Sequence, residues 1–241
     1  QRQMCIRDRY RDGNIYVLIK QEQEKIFKFN VDILIHFGNF YEIKKVKIDD
    51  KEVLLNFKAE YKPKFIDIDP YGWLLIANIS REDIDNLIEI VENGITSISK
   101  IRAIRGLYKI YNYRVIKALE KAMKEKFWGV RAEAAKALGT IKTEDSLNIL
   151  INSLNDEEPK VRREIIKSIG EFKNDKSVKL LQDYLRNAKT YYEIYECLIS
   201  LAKQEKKELI ELLKEYLNFK SHDEIVRIGA IKALSEFKDK N

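Results

Sequence analysis

The chain has 241 residues, 45% of them hydrophobic and 35% charged, with a formal net charge of +6. That length holds one large domain or two modest ones, each with its own core. No run of about 18 apolar residues occurs, so no transmembrane helix and no membrane partner are expected. The two cysteines, Cys5 and Cys197, exclude a disulfide framework and a thiolate zinc site, and a reducing, cytoplasmic setting fits.

Residues 1–9, "QRQMCIRDR", are polar and basic, and no apolar stretch follows that would make them a secretory signal. Met4, Cys5 and Ile6 are consecutive, so they line neither a helical stripe nor one strand face. This head is expected to be disordered. Gln3 to Arg9 also matches a reading frame of the mosaic-end adaptor used in transposase-based library preparation, which predicts that residues 1–9 are translated adaptor fused to a truncated reading frame.

From Tyr10 to about Leu75 the pattern has period two. "FKFNVDILI" places Phe27, Phe29, Val31, Ile33 and Ile35 on one face, and "EVLLNFKAE" does the same with Val53, Leu55 and Phe57. "IYVLIKQ" and "YEIKKVKI" are similar runs, separated by turns at Gly38 and Asp49. "KPKFIDIDPYGWLL" adds a strand and then a Pro-Tyr-Gly turn. Residues 10–78 are therefore predicted to form a small antiparallel β-sandwich.

From residue 79 onward the period becomes helical. Ser80 is expected to cap the first helix, with Glu82 and Asp83 in its first turn. "SHDE" at Ser221 reads as a capping box with Glu224. Aligning the core positions Leu107, Leu138, Ile169, Leu201 and Leu234 gives spacings of 31, 31, 32 and 33 residues. Three residues earlier stand Ile104, Ala135, Ile166, Leu198 and Ile231. Met123, Leu154, Leu185 and Leu217 keep the same register in the partner helices. A Val-Arg pair recurs at residues 130, 161 and 226, and Gly139 and Gly170 sit where helix C-caps belong. "LNDEEPKVRREIIKSIGEF" resembles a short HEAT repeat, which implies an α-α superhelix over residues 79–241. The last repeat has its helix through Leu234 but no partner after it, so its apolar face is expected to stay open.

The sequence shows no constellation that supports catalysis. His36 and His222 lie in different halves, and there is no HExxH, P-loop or GxGxxG. Asp67 and Asp69 read as a strand end and turn, His36 as an edge residue and Cys197 as a small buried hydrophobe. Tyr191, Tyr192 and Tyr195 read as packing between repeats. Residues 100–131 hold ten basic side chains against Glu120 and Glu125. Arg102, Arg105 and Lys109 are expected on one helix face, and Arg114, Lys117, Lys121 and Lys124 on the next, with Tyr108, Tyr111 and Tyr113 nearby. This is the candidate binding or docking surface.

"KPKFIDIDPYGWLLIANI" is similar to the end of the β-sandwich domain in aminopeptidase N-like zinc peptidases. "YVLIKQEQEKIFKFNVDILI" resembles that domain's opening strands, and "KFWGVRAEAAKALGTI" the repeats of their C-terminal domain. The resemblance covers about residues 10–241. It implies a non-catalytic C-terminal region whose solenoid limits access to a catalytic domain that would carry the zinc. No catalytic or metal-binding residue of that family has a counterpart here, so no cofactor is expected in this chain. The expected partner is its own upstream catalytic domain or another protein, with peptide substrate reached only through the parent enzyme. A stand-alone HEAT-repeat scaffold is the alternative, and a nucleic-acid-binding solenoid using residues 100–131 is the third reading.

Overall fold

The structure is a computed structural model that describes residues 2–74, 76–81 and 83–237. Its strands are β1 (Arg2–Arg11), β2 (Asn14–Gln21), β3 (Phe29–His36), β4 (Tyr41–Ile48), β5 (Glu52–Lys58), β6 (Phe65–Ile68) and β7 (Ile76–Arg81). They form a four-stranded sheet in the order β5-β2-β1-β7 and a three-stranded sheet in the order β4-β3-β6. The pairings are antiparallel except for β1 with β7, which run parallel. Ile15, Val17 and Ile19 of one sheet and Ile33, Ile35 and Ile66 of the other share a single buried core. The fold is thus α+β, a small β-sandwich followed by a helical solenoid.

The head expected to be disordered forms β1, paired with β2 from Met4 to Arg11. Asp12 and Gly13 both take positive φ and make the two-residue turn that joins these strands. Along β1, Ile6 is buried and Asp8 and Tyr10 half-buried, while Arg7, Arg9 and Arg11 face solvent. The period of two is present, with Tyr10 packed against the core, but the Asp8 carboxylate occupies one of its inward positions.

Packing divides the chain into two compact units, Gln1–Tyr108 and Lys109–Asn241. The change of period at residue 79 is therefore not where the packing divides. In the first unit, α1 (Ile84–Asn93) and α2 (Ser97–Gly106) belong with the sheets. The buried side chain of Asn86 accepts from the Ile66 N–H at 2.8 Å and donates to the Ile66 carbonyl at 3.1 Å, so it extends the β6 edge onto α1. Asp83 caps α1 by accepting from the Asn86 N–H. Ser80, the expected cap, lies in β7, and Glu82 is outside the described residues.

The second unit contains α3 (Tyr113–Ala122), α4 (Trp128–Ile141), α5 (Glu144–Asn152), α6 (Pro159–Ile169), α7 (Asp175–Arg186), α8 (Tyr191–Ala202), α9 (Leu209–Glu215) and α10 (Ile225–Ser235). Asn112, Thr143, Asn174 and Thr190 each accept a backbone N–H at a helix start. Leu138, Ile169 and Leu201 are fully buried, as are Ala135, Ile166 and Leu198, so the repeat register is the packing register. Ile231, at the equivalent place in α10, is 53% exposed, and among the described residues no helix follows α10 to pack against it.

Two local expectations are corrected. Gly139 lies inside α4, and Gly170 at the end of α6 has φ of −60°, so neither supplies a left-handed cap. A Cβ on either would stand 2.6 Å from the Cβ of Ser168 or Ser200 respectively. Both glycines are therefore close-approach points between successive repeats. The Ser221 box does not form either. Asp223 and Glu224 take positive φ, and Ser221 Oγ accepts instead from the Val226 N–H.

Candidate binding surface of the helical repeats

The helices α4, α6, α8 and α10 pack one against the next, whereas helices of the α3, α5, α7 and α9 layer touch each other little. The first set is therefore the closely packed, inner layer of the stack. The Val-Arg pairs hold this layer together. Val130, Val161 and Val226 are fully buried. Arg131 makes a bidentate pair with Asp156, at 2.7 and 2.9 Å, and donates to the Glu125 and Lys126 carbonyls. Arg162 repeats this one unit later. It donates twice to Glu193 Oε1, at 3.0 and 2.7 Å, and to the Asp156 and Glu157 carbonyls. Glu193 is wholly buried and also accepts from the Tyr184 hydroxyl and the Lys189 N–H. These arginines stitch each turn to the following repeat and are structural.

The exposed side of the inner layer is built in rows. Lys136 and Lys167 each stand two residues before a core position, and Glu133, Glu164 and Glu196 each stand five before one. Two lysines on α4 and α6 thus stand beside an acidic row that continues into α8, where Ile199 takes the equivalent of the lysine position. Between α4 and α6 these side chains border a groove of about 490 Å³, with Lys109, Lys136, Lys142 and Lys167 set against Glu164 and Glu171. Gly139 and Ser168 form its floor, where the two helices approach most closely. Ammonium groups of Lys203 and Lys142 bind Glu171 at 2.6 and 3.2 Å and hold its carboxyl below the ordinary range. Burial pushes the Glu196 carboxyl up. Cations lie over aromatic rings of neighbouring repeats: Lys160 over Trp128 at 4.5 Å and Arg163 over Tyr192 at 5.2 Å near the helix starts, and Lys232 of the last turn of α10 over Tyr195 at 5.5 Å.

The seven basic residues of the expected docking surface belong to both units. Arg102 belongs to the first unit, where it donates to the Asp69 carbonyl and carboxylate at 2.9 and 3.2 Å. Asp69 is buried, has φ of +53° and also accepts from the Trp73 and Leu74 N–H groups. Asp67 accepts from the Ser99 hydroxyl. These carboxylates and Arg102 lock the turn after β6 onto α2. Arg105 is exposed in the last turn of α2, which ends at Gly106. Lys109 consequently lies beyond the helix, with φ of +64°, and lines the groove. Arg114, Lys117, Lys121 and Lys124 are exposed on or just after α3, and Lys117 pairs with Glu120 at 2.9 Å.

Tyr111 and Tyr113 are exposed, at 78% and 65%. Tyr191 and Tyr192 are also exposed, although Arg163 of the preceding repeat lies over the Tyr192 ring, and Tyr195 packs between repeats against Gly229. Cys197 is buried as expected, and that burial raises its thiol pKa. His36 ends β3, stacked on Phe65, with Nδ1 accepting the Gly38 N–H at 3.0 Å. Among the described residues, no group of three or more His, Cys, Asp or Glu could hold a metal ion, and no helix is long and apolar enough to cross a membrane.

The inner-layer lysines are not legible from local charge density, because they lie 31 residues apart in the chain. Their signal was the repeat register itself, since residues 136 and 167 stand at equivalent positions of successive units.

A comparison with curated proteins gives no match. Among solved structures, the chain is similar to Legionella pneumophila aminopeptidase A in complex with aspartic acid, with 10% identity and a TM-score of 0.53. That alignment covers 98% of this chain and 39% of the aminopeptidase, so the chain spans well under half of that protein. It is also similar to the complex of CpcE and CpcF of phycocyanin lyase from Nostoc, with 18% identity, a TM-score of 0.50 and 66% of each chain covered. Human deoxyhypusine hydroxylase in complex with glycerol aligns at 18% identity and a TM-score of 0.48, over 64% of this chain and 62% of that one. At these identities the likeness is one of fold. The family of HEAT repeats matches residues 84–157, 116–199 and 148–218, which together take in more than half of the sequence. With its helices stacked in that register, the chain belongs to the HEAT-repeat family.

Proposed function

We propose that this chain is a non-catalytic, protein-binding region of a larger zinc-dependent aminopeptidase. Its solenoid limits access of peptides to a catalytic domain that precedes it. The observation that supports this reading is the order of the two units. A β-sandwich followed by a HEAT solenoid aligns, over 98% of the chain, with part of a Legionella aminopeptidase. The partner on this reading is the chain's own catalytic domain, and the zinc belongs to that domain. Localisation in the cytoplasm is part of the same proposal.

Sequencing the source DNA upstream of the codon for Tyr10 tests it. A frame that continues into HExxH and a downstream glutamate is the expected result. A start codon near Tyr10 with nothing joined before it overturns the peptidase reading. The second reading, a stand-alone HEAT scaffold, rests on the exposed rows of the inner layer. It predicts a monomer that folds alone and captures a protein partner through that face.

A further inference from the structure

We infer that the groove between α4 and α6 binds an acidic, extended peptide segment, whose carboxylates are recognised by the lysine row of the inner layer. This goes beyond both readings of function and holds under either. The groove is large enough, at about 490 Å³, for several side chains, and four lysines border it against two glutamates. Lys142 and Glu171 pair with each other, and Lys203 also binds Glu171, so the groove's remaining charge balance is Lys109, Lys136 and Lys167 against Glu164.

The mixed rows decide between anionic ligands. A nucleic-acid strand carries a charge at every residue and would bring phosphates against the Glu133, Glu164 and Glu196 row, where like charges repel. A peptide carries its charges at intervals and offers backbone N–H donors between them. Its carboxylates can meet the Lys136 and Lys167 row while its N–H groups face the Glu164 side. The spacing also fits. Packed helices lie about 8–10 Å apart, and an extended chain rises about 3.3 Å per residue. One step from α4 to α6 therefore matches about three peptide residues. The close approach of Gly139 to Ser168 fixes that step, because any larger residue at 139 would push the helices apart.

The test uses the full chain and a fluorescein-labelled (Glu-Gly-Gly)3 peptide, read by anisotropy at low and physiological salt. Saturable binding is expected, with no binding of the (Gln-Gly-Gly)3 analogue. The double variant Lys136→Glu/Lys167→Glu is expected to weaken binding about tenfold or more, since it turns two attractions into repulsions. A charge-matched control, Lys179→Glu/Lys214→Glu on the other layer, is expected to leave it unchanged. Circular dichroism checks the fold, and Lys136→Gln/Lys167→Gln serves if the reversed pair does not fold. Absence of binding overturns the inference, as does an equal loss in the control, which would mean attraction to net charge alone. Tighter binding of an oligothymidylate through the same lysines would also overturn it, in favour of a nucleic-acid occupant.

Discussion

The sandwich and the helical repeats bury similar residues by different means. In the sandwich two sheets close on each other, so Ile15, Val17, Ile19 and Ile33 all reach zero exposure without help from further chain. In the repeats each helix pair is covered only by the next. Ile166 in α6 is fully buried, and Ile231 at the same register in α10 is 53% exposed. Burial in the first unit is a property of the fold, and in the second it is a property of position along the stack. The polar groups differ in the same way. Asn86, Asp69 and Arg102 join a turn and a sheet edge to helices once, whereas Arg131 and Arg162 repeat one stitch from unit to unit.

The largest expected effect is at that stitch. Glu193→Ala should cost about 3–5 kcal/mol in urea denaturation, because it leaves the buried Arg162 guanidinium without its partner. Replacing both, as Arg162→Met with Glu193→Leu, should recover most of the loss. If the single change is neutral, the stitch does not hold the repeats together.

Next come the apolar positions. Ile33→Ala in the sandwich and Ile166→Ala in the stack should each cost about 2–5 kcal/mol. Ile231→Ala should stay within about 0.5 kcal/mol. Equal losses at Ile166 and Ile231 would mean that the final face is covered in solution.

Gly139→Ala tests the close approach. Its methyl would stand 2.6 Å from the Ser168 Cβ, so a destabilisation of about 1–3 kcal/mol is expected. Ser168→Gly in the same chain should restore part of it. A neutral Gly139→Ala would show that the helices can separate freely.

The smallest effect is one of pH. Burial, followed by the Glu193 charge, pushes Tyr184 up from 10.0 to about 12. The neutral phenol is thus favoured in the folded state. Its stabilisation is complete below pH 10.0 and is lost as pH rises toward about 12. Melting temperatures across that window should fall less steeply in Tyr184→Phe than in the parent chain. Parallel slopes would sever Tyr184 from the Glu193 network.

Much of this architecture was determined by the sequence alone. The period of two in "FKFNVDILI" and the 31- to 33-residue spacing from Leu107 to Leu234 specify a sheet region and a stack of helix pairs. Hydrophobic periodicity is local, so it survives without coordinates. β1 was legible too, through Asp12-Gly13, a strong two-residue hairpin signal. Its period is obscured because Asp8 occupies an inward position between Ile6 and Tyr10.

Only the tertiary structure decided the rest, and in each case the reason is that a partner comes from far along the chain. Gly139 looks like a cap until Ser168 is seen against it. Arg102 looks like part of a basic face until Asp69, 33 residues away, is seen to hold it. Lys109 leaves its expected helix because α2 stops at Gly106, and it joins lysines of α4 and α6 that no local run of charge connects. Periodicity specifies which residues go inside, but which exposed charges become neighbours depends on helices that meet only after the repeats have stacked.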